Sequence, residues 1–344
     1  MPVNDTLRPM AALGTRRLGI GGVSMTCAAL RGADEAERAL HDALEAGLDL
    51  VEVTAEEAAE RVVGDAIRAL RAHDRVIAAF RVPARELPPP PAIQERIEAA
   101  LRTSRLEVLP LAHIQVRAAW RSLTAWPELV GTCARLVREG KVLRWGALVD
   151  TIEDDTHELA SEDWLVSLAA PFNLCERGAE KLLRDEPPAP PPEPLLVIPG
   201  APPPAPPAPV PRRKLPLLAR RPLAGGAFAG TLAPGMELRI RDDRRTIDEP
   251  MLERIAVGVA KLAAYVKQVP PAAQASVGAK AQLERNMRPA EIHCATVAEL
   301  AMRYVISRGA IAMPRLHRRE HVADAVAIAG APPLPADLLD QLDI

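Results

Sequence analysis

Aromatic side chains make up 3% of the 344 residues, and the whole chain holds only two tyrosines, Tyr265 and Tyr304. No lysine precedes Lys141. Any chemistry built from the front half must therefore do without a phenol or a primary amine. The four cysteines, Cys27, Cys133, Cys175 and Cys294, form no CxxC pair. That argues against a thiolate zinc site or a dithiol redox motif and fits a reducing compartment. His293 and Cys294 adjoin without further ligands nearby, so no metal is expected. No basic-then-apolar leader opens the chain, and no apolar run approaches the ~20 residues needed to span a bilayer. A cytoplasmic protein with no membrane partner is expected. A net charge of −2 gives no global pull towards nucleic acid either.

What the chain does have is alternation. Hydrophobic content of 48% and charged content of 26% are ordinary for a globular protein. Strand-like runs at 17–21, 48–53, 75–82, 109–116, 143–149, 165–172, 215–219 and 310–313 are interspersed with helical patterns. Those patterns lie at 34–46, 56–72, 91–103, 126–139, 296–307 and 335–342. The first helix places Ala36, Ala39, Leu40, Ala43 and Leu44 on one face and stops at Gly47. Strand, helix, strand at this spacing predicts parallel pairing with right-handed crossovers. Gly19, Gly21 and Gly22 read as a strand-end turn, since a phosphate loop needs more pattern.

Proline is the other abundance, with 35 residues, many of them within 187–211. Proline lacks the amide donor and fixes φ, so this stretch cannot be helix. A polyproline II arm at about 3.1 Å per residue is expected, with Leu195 to Ile198 as a short strand able to dock back. The arm is either an inert spacer or a ligand for a protein partner of the PxxP kind.

Several segments resemble the aldo-keto reductases. They are Arg17 to Gly22, Gly47 to Ile67, Arg75 to Arg81, Val137 to Gly146, Pro171-Phe172-Asn173-Leu174 and Arg221-Pro222-Leu223-Ala224-Gly225-Gly226. Ala301 to Pro314 and then Arg319 to Val322 complete the series in the family's order. The resemblance implies an α/β fold, a (β/α)8 TIM barrel. It would be a single domain over residues 1–344, with the proline-rich insertion between its sixth and seventh strands.

The resemblance also implies a chemistry, in which NADPH delivers hydride to a carbonyl and a tyrosine supplies the proton. A lysine paired to an aspartate lowers the tyrosine pKa, and a histidine orients the substrate. Here the aspartate position carries Glu52 and the tyrosine position Glu57. The lysine position carries Arg81 (or Phe80, one register away) and the histidine position Arg117, with His113 deeper on the same face and Gln115 between them. None of the four matches. Arginine keeps its proton at any physiological pH, neighbouring guanidiniums would hold Glu57 ionised, and losing a positioned acid costs about 10²–10⁴-fold.

The cofactor positions depart as well. Leu148-Val149 replaces a Ser-Asn pair, Ala169 or Ala170 a glutamine, and Arg220 the tyrosine that stacks on nicotinamide. Ala325 stands for a late asparagine. Asn173 is kept, and Arg315, His317, Arg318 and Arg319 keep positive charge where a 2′-phosphate would sit. That basic run is either a solvated turn or a retained phosphate site. Glu52, Glu57, Arg81, Arg117 and Arg220 form either a self-satisfied ion-pair plug or a site for an anionic small molecule. The expectation is a catalytically inactive homologue, without cofactor, acting as a binding, regulatory or scaffold subunit. The alternative is an NADP-dependent oxidoreductase with Glu57 as acid, for which NADPH is the cofactor.

Overall fold

The computed structural model describes residues 13, 16–22, 33–183, 215–238, 244, 247–266 and 294–342. Seven parallel strands pair in chain order: β1 Leu50–Val53, β2 Ile77–Val82, β3 Leu109–Gln115, β4 Val142–Leu148, β5 Leu165–Pro171, β6 Leu217–Arg220 and β7 Ile311–Met313. The stretch at 17–21 closes the ring. Leu18 bridges Ala312 and Ile20 bridges Val51, both in parallel. Gly19 donates to the Ala312 carbonyl at 2.9 Å, and Ile20 donates to the Leu50 carbonyl at 2.8 Å. The expected eighth strand is thus present as single bridges on either side, too short to form a ladder of its own. Gly19 explains the tight fit, since a Cβ there would come within 2.7 Å of Met313 Sδ and 2.9 Å of the Leu50 oxygen.

Helices α1 Ala33–Glu45, α2 Glu57–Ala69, α3 Pro90–Ser104 and α4 Trp126–Arg138 follow the first strands as the periodicity predicts. A single turn, α5 Thr156–Leu159, stands between β4 and β5. Between β6 and β7 come α6 Glu249–Leu262 and α7 Val297–Ser307, and α8 Arg319–Gly330 and α9 Ala336–Gln341 close the order. Helix α6 had no counterpart in the periodicity reading. Its start is nevertheless conventional: the Asp248 side chain accepts from Met251 N at 2.8 Å, and Pro250 lies in the first turn. The proline-rich 187–211 segment, the strand expected at 195–198 and the partner reading of the arm lie outside the described residues.

Alternate strand residues face inward, and the inner wall is layered. Leu50, Ile77, Ala79, Leu111, Leu148, Ala169, Leu218, Ile311, Met313 and Leu13 form one buried apolar cluster. The larger cluster lies outside it, where strand residues such as Val51, Ala78, Phe80 and Ala112 meet the helices. Towards the carboxyl ends of the strands the inner positions change character, to Glu52, Arg81, His113 and Arg220. In barrels of this kind that end carries the chemistry. Among the described residues no helix is long and apolar enough to cross a membrane.

Candidate functional site

Glu52 is the third residue of β1 and 4% exposed. Its Oε1 lies 3.0 Å from Arg81 Nη2, on β2, and 3.3 Å from Arg220 Nε, at the end of β6. Its Oε2 accepts from the Gly22 amide at 3.2 Å. Burial pushes the Glu52 pKa up, but Arg220, Arg81 and the Gly22 amide outweigh it and bring it down to about 2. The carboxylate is therefore locked in its ionised form.

His113 lies one strand on, paired in register with Arg81 on one side and Gly146 on the other. Gly146 makes room for it, because a Cβ there would collide with the imidazole and stand 2.5 Å from Ser167 Oγ. The ring is fully buried, with Nε2 2.8 Å from Ser167 Oγ. Burial drives its pKa down to about 4; Glu52 pulls the other way, while Arg220 and Arg81 add to the fall. A neutral imidazole thus sits beside an ionised carboxylate.

At the rim, Arg220 Nη1 lies 3.3 Å from Asp150 Oδ1, and Gln115 Nε2 donates to Asp150 Oδ2 at 2.5 Å. Arg117 pairs with Glu153 at 3.3 Å. The network expected from Glu52, Glu57, Arg81, Arg117 and Arg220 is thereby divided. Glu52, Arg81 and Arg220 do come together. Glu57 does not join them: it opens α2, its side chain is 80% exposed, and it pairs with Arg61 one turn on, at 3.8 Å. Arg117 stands two residues beyond the end of β3, where strand alternation no longer steers side chains inward, and caps the turn Ala118–Ser122. Asp150, Glu153 and Ser167 were missed by the sequence reading. Asp150 had one signal, its place directly after a strand end.

The residues expected at a cofactor are engaged elsewhere. Asn173 is buried; its amide donates to Glu176 Oε2 at 2.7 Å and the Arg221 carbonyl at 3.0 Å, and its oxygen accepts from the Cys175 and Glu176 amides. It orders a turn. Arg318 pairs with Glu320 at 3.1 Å, and Arg319 pairs with Asp42 of α1, tying α8 to α1. The His317 ring meets the His321 ring edge-on, centroids 5.1 Å apart, and Arg315 is likewise engaged. Among the described residues no group of His, Cys, Asp and Glu could hold a metal ion. Burial raises the thiol pKa of Cys133, Cys175 and Cys294, which leaves them poor nucleophiles. Tyr304 lies in α7, fully buried against Phe172 and between the Arg177 and Arg308 guanidiniums.

No protein-family model and no curated protein matches the chain. Solved structures do. A glycerol dehydrogenase from Gluconobacter oxydans aligns over 95% of this chain and 90% of its own, with a TM-score of 0.63 and 18% identity. The holo form of an aldo-keto reductase from Bacillus halodurans aligns over 95% and 92%, with a TM-score of 0.62 and 15% identity. An aldo/keto reductase from Klebsiella pneumoniae in complex with NADP and acetate aligns over 95% and 89%, with a TM-score of 0.55 and 22% identity. At these identities the shared property is the fold: a barrel of parallel strands like that of the aldo-keto reductases.

Proposed function

We propose that this aldo-keto-reductase-like barrel does not reduce carbonyls and instead serves as a binding or regulatory subunit. One observation carries the reading: Glu57, which the resemblance puts at the proton donor's position, faces solvent and Arg61, while the inner-mouth carboxylate Glu52 is held ionised between Arg81 and Arg220. A reductase of this kind needs some group at the mouth that can release a proton towards a carbonyl oxygen. Glu52 has none to give, and neither arginine can lose one. His113, neutral and sealed beneath them, cannot supply one near neutral pH.

The positions that would hold a dinucleotide support the same reading. Arg220, which the resemblance puts at the position of the ring that stacks on nicotinamide, is engaged by Glu52 and Asp150. Arg318 and Arg319 face carboxylates of the chain itself, and Asn173 is occupied by its own turn. These residues do not fit the group. The competing reading, an oxidoreductase with Glu57 as acid, requires a side chain that instead faces solvent and Arg61.

The test is NADPH oxidation with a panel of aldehydes and ketones, together with a calorimetric titration of NADPH. No turnover and no saturable heat are expected. Sustained oxidation that Glu57→Gln abolishes would replace this proposal with the oxidoreductase reading.

A further inference from the structure

The loop after β4 lays two carboxylates over the mouth, Asp150 on Arg220 and Gln115, and Glu153 on Arg117. Asp150 uses one oxygen on each of two donors from different strand ends, Oδ1 for Arg220 Nη1 at 3.3 Å and Oδ2 for Gln115 Nε2 at 2.5 Å. The donors and the acceptor differ in how firmly they are held. The Arg220 side chain is 11% exposed and anchored from within by Glu52, whereas that of Asp150 is 59% exposed. A fork of N–H groups, one of them on an anchored arginine, is thus closed by a carboxylate that stands largely in water.

We propose that this fork is a binding site for a small organic carboxylate, and that Asp150 is an internal pseudo-ligand which the bound molecule displaces. Three observations support it. A planar group with two oxygens matches the two donors that Asp150 now engages, one N–H from Arg220 and one from Gln115. Ion pairs this exposed contribute little, because water and salt screen them, so Asp150 leaves at small cost while Arg220 keeps Glu52. The charges also balance: Glu52, Asp150 and Glu153 face Arg81, Arg220 and Arg117. An added anion is therefore disfavoured, and an exchanged one is not. The proposal rests on the reading of this barrel as a binding subunit.

The experiment is calorimetric titration of succinate into the full chain and its variants, with sodium chloride matched for ionic strength and inorganic phosphate in parallel. Asp150→Ala removes the competitor and is expected to tighten succinate by about three- to tenfold, because the competent state is no longer shared with the closed one. Gln115→Ala in the Asp150→Ala background, a partly exposed change that spares the buried pairs, is expected to weaken succinate about tenfold. Equal affinity in wild type and Asp150→Ala, or no saturable heat in either, would overturn the proposal. Phosphate binding as tightly as succinate in Asp150→Ala would overturn the carboxylate assignment. Carbonyl turnover, measured separately, bears only on the inactive-barrel reading, so the two failures are distinguishable.

Discussion

His113 combines a titratable ring, full burial and two guanidiniums nearby, and its pKa of about 4 follows from that surrounding. Its link to stability has a definite sign. An unfolded histidine takes a proton below its ordinary value of 6.5, while the folded one refuses it down to about 4. The unfolded state thus binds more protons in that window, so stability is complete above pH 6.5 and drains away as pH falls towards 4. The expected loss is on the order of 3 kcal/mol. Urea denaturation of wild type and His113→Asn across this window should show the extra slope in wild type only; parallel slopes would remove His113 as its source. Glu52, whose folded pKa is also depressed, acts lower, losing its contribution as pH falls from 4.5 towards 2. Little of this was legible in the residues. His113, Arg81 and Arg220 lie far apart in sequence, and only pairing in register sets the ring among the guanidiniums.

Helices α2 and α3 touch through a missing side chain. At Gly64 an added Cβ would overlap the backbone carbonyl of Ser104, which also accepts from Arg68 Nη1 at 2.8 Å. Replacing glycine by alanine inside a helix normally gains about 1 kcal/mol. Here backbone, not a flexible side chain, stands in the way, and overpacking wins. Gly64→Ala is expected to lose about 2 kcal/mol net, whereas Gly131→Ala in α4, where nothing lies within 4 Å, should gain up to about 1 kcal/mol. Thermal or urea unfolding of both variants checks the contrast, and two gains would refute the close approach. The helices themselves were readable from apolar periodicity, and α1, α2, α3 and α4 fall within a few residues of it. Helix α6 was missed because its residues run apolar on more than one face: Val257 is 58% exposed while Ile255 and Leu252 are buried. Propensity there gives way to packing between β6 and β7.

The barrel is a closed ring only because the short stretch around Leu18 and Ile20 sits between β7 and β1. Gly19→Val would push a branched side chain against Met313 Sδ and the Leu50 carbonyl, and closure would suffer. All four tryptophans, Trp120, Trp126, Trp145 and Trp164, lie between β3 and β5, away from that seam. If the ring unfolds as one cooperative unit, Gly19→Val shifts the tryptophan fluorescence and circular dichroism transitions together to lower urea. An unmoved fluorescence transition would make the closing segment an appendage instead. The order of strands and helices, the parallel architecture and the absence of an early phenol or lysine were all legible in the residues, because they depend on local spacing and residue type. The three-dimensional arrangement decided which charges meet. It kept Glu52 with Arg81 and Arg220, as the resemblance had grouped them, but sent Glu57 and Arg117 to Arg61 and Glu153 and brought Asp150 over the mouth. Ion pairs form between groups that the ring brings within a few ångströms, whatever their separation along the chain, and local spacing alone does not encode that proximity.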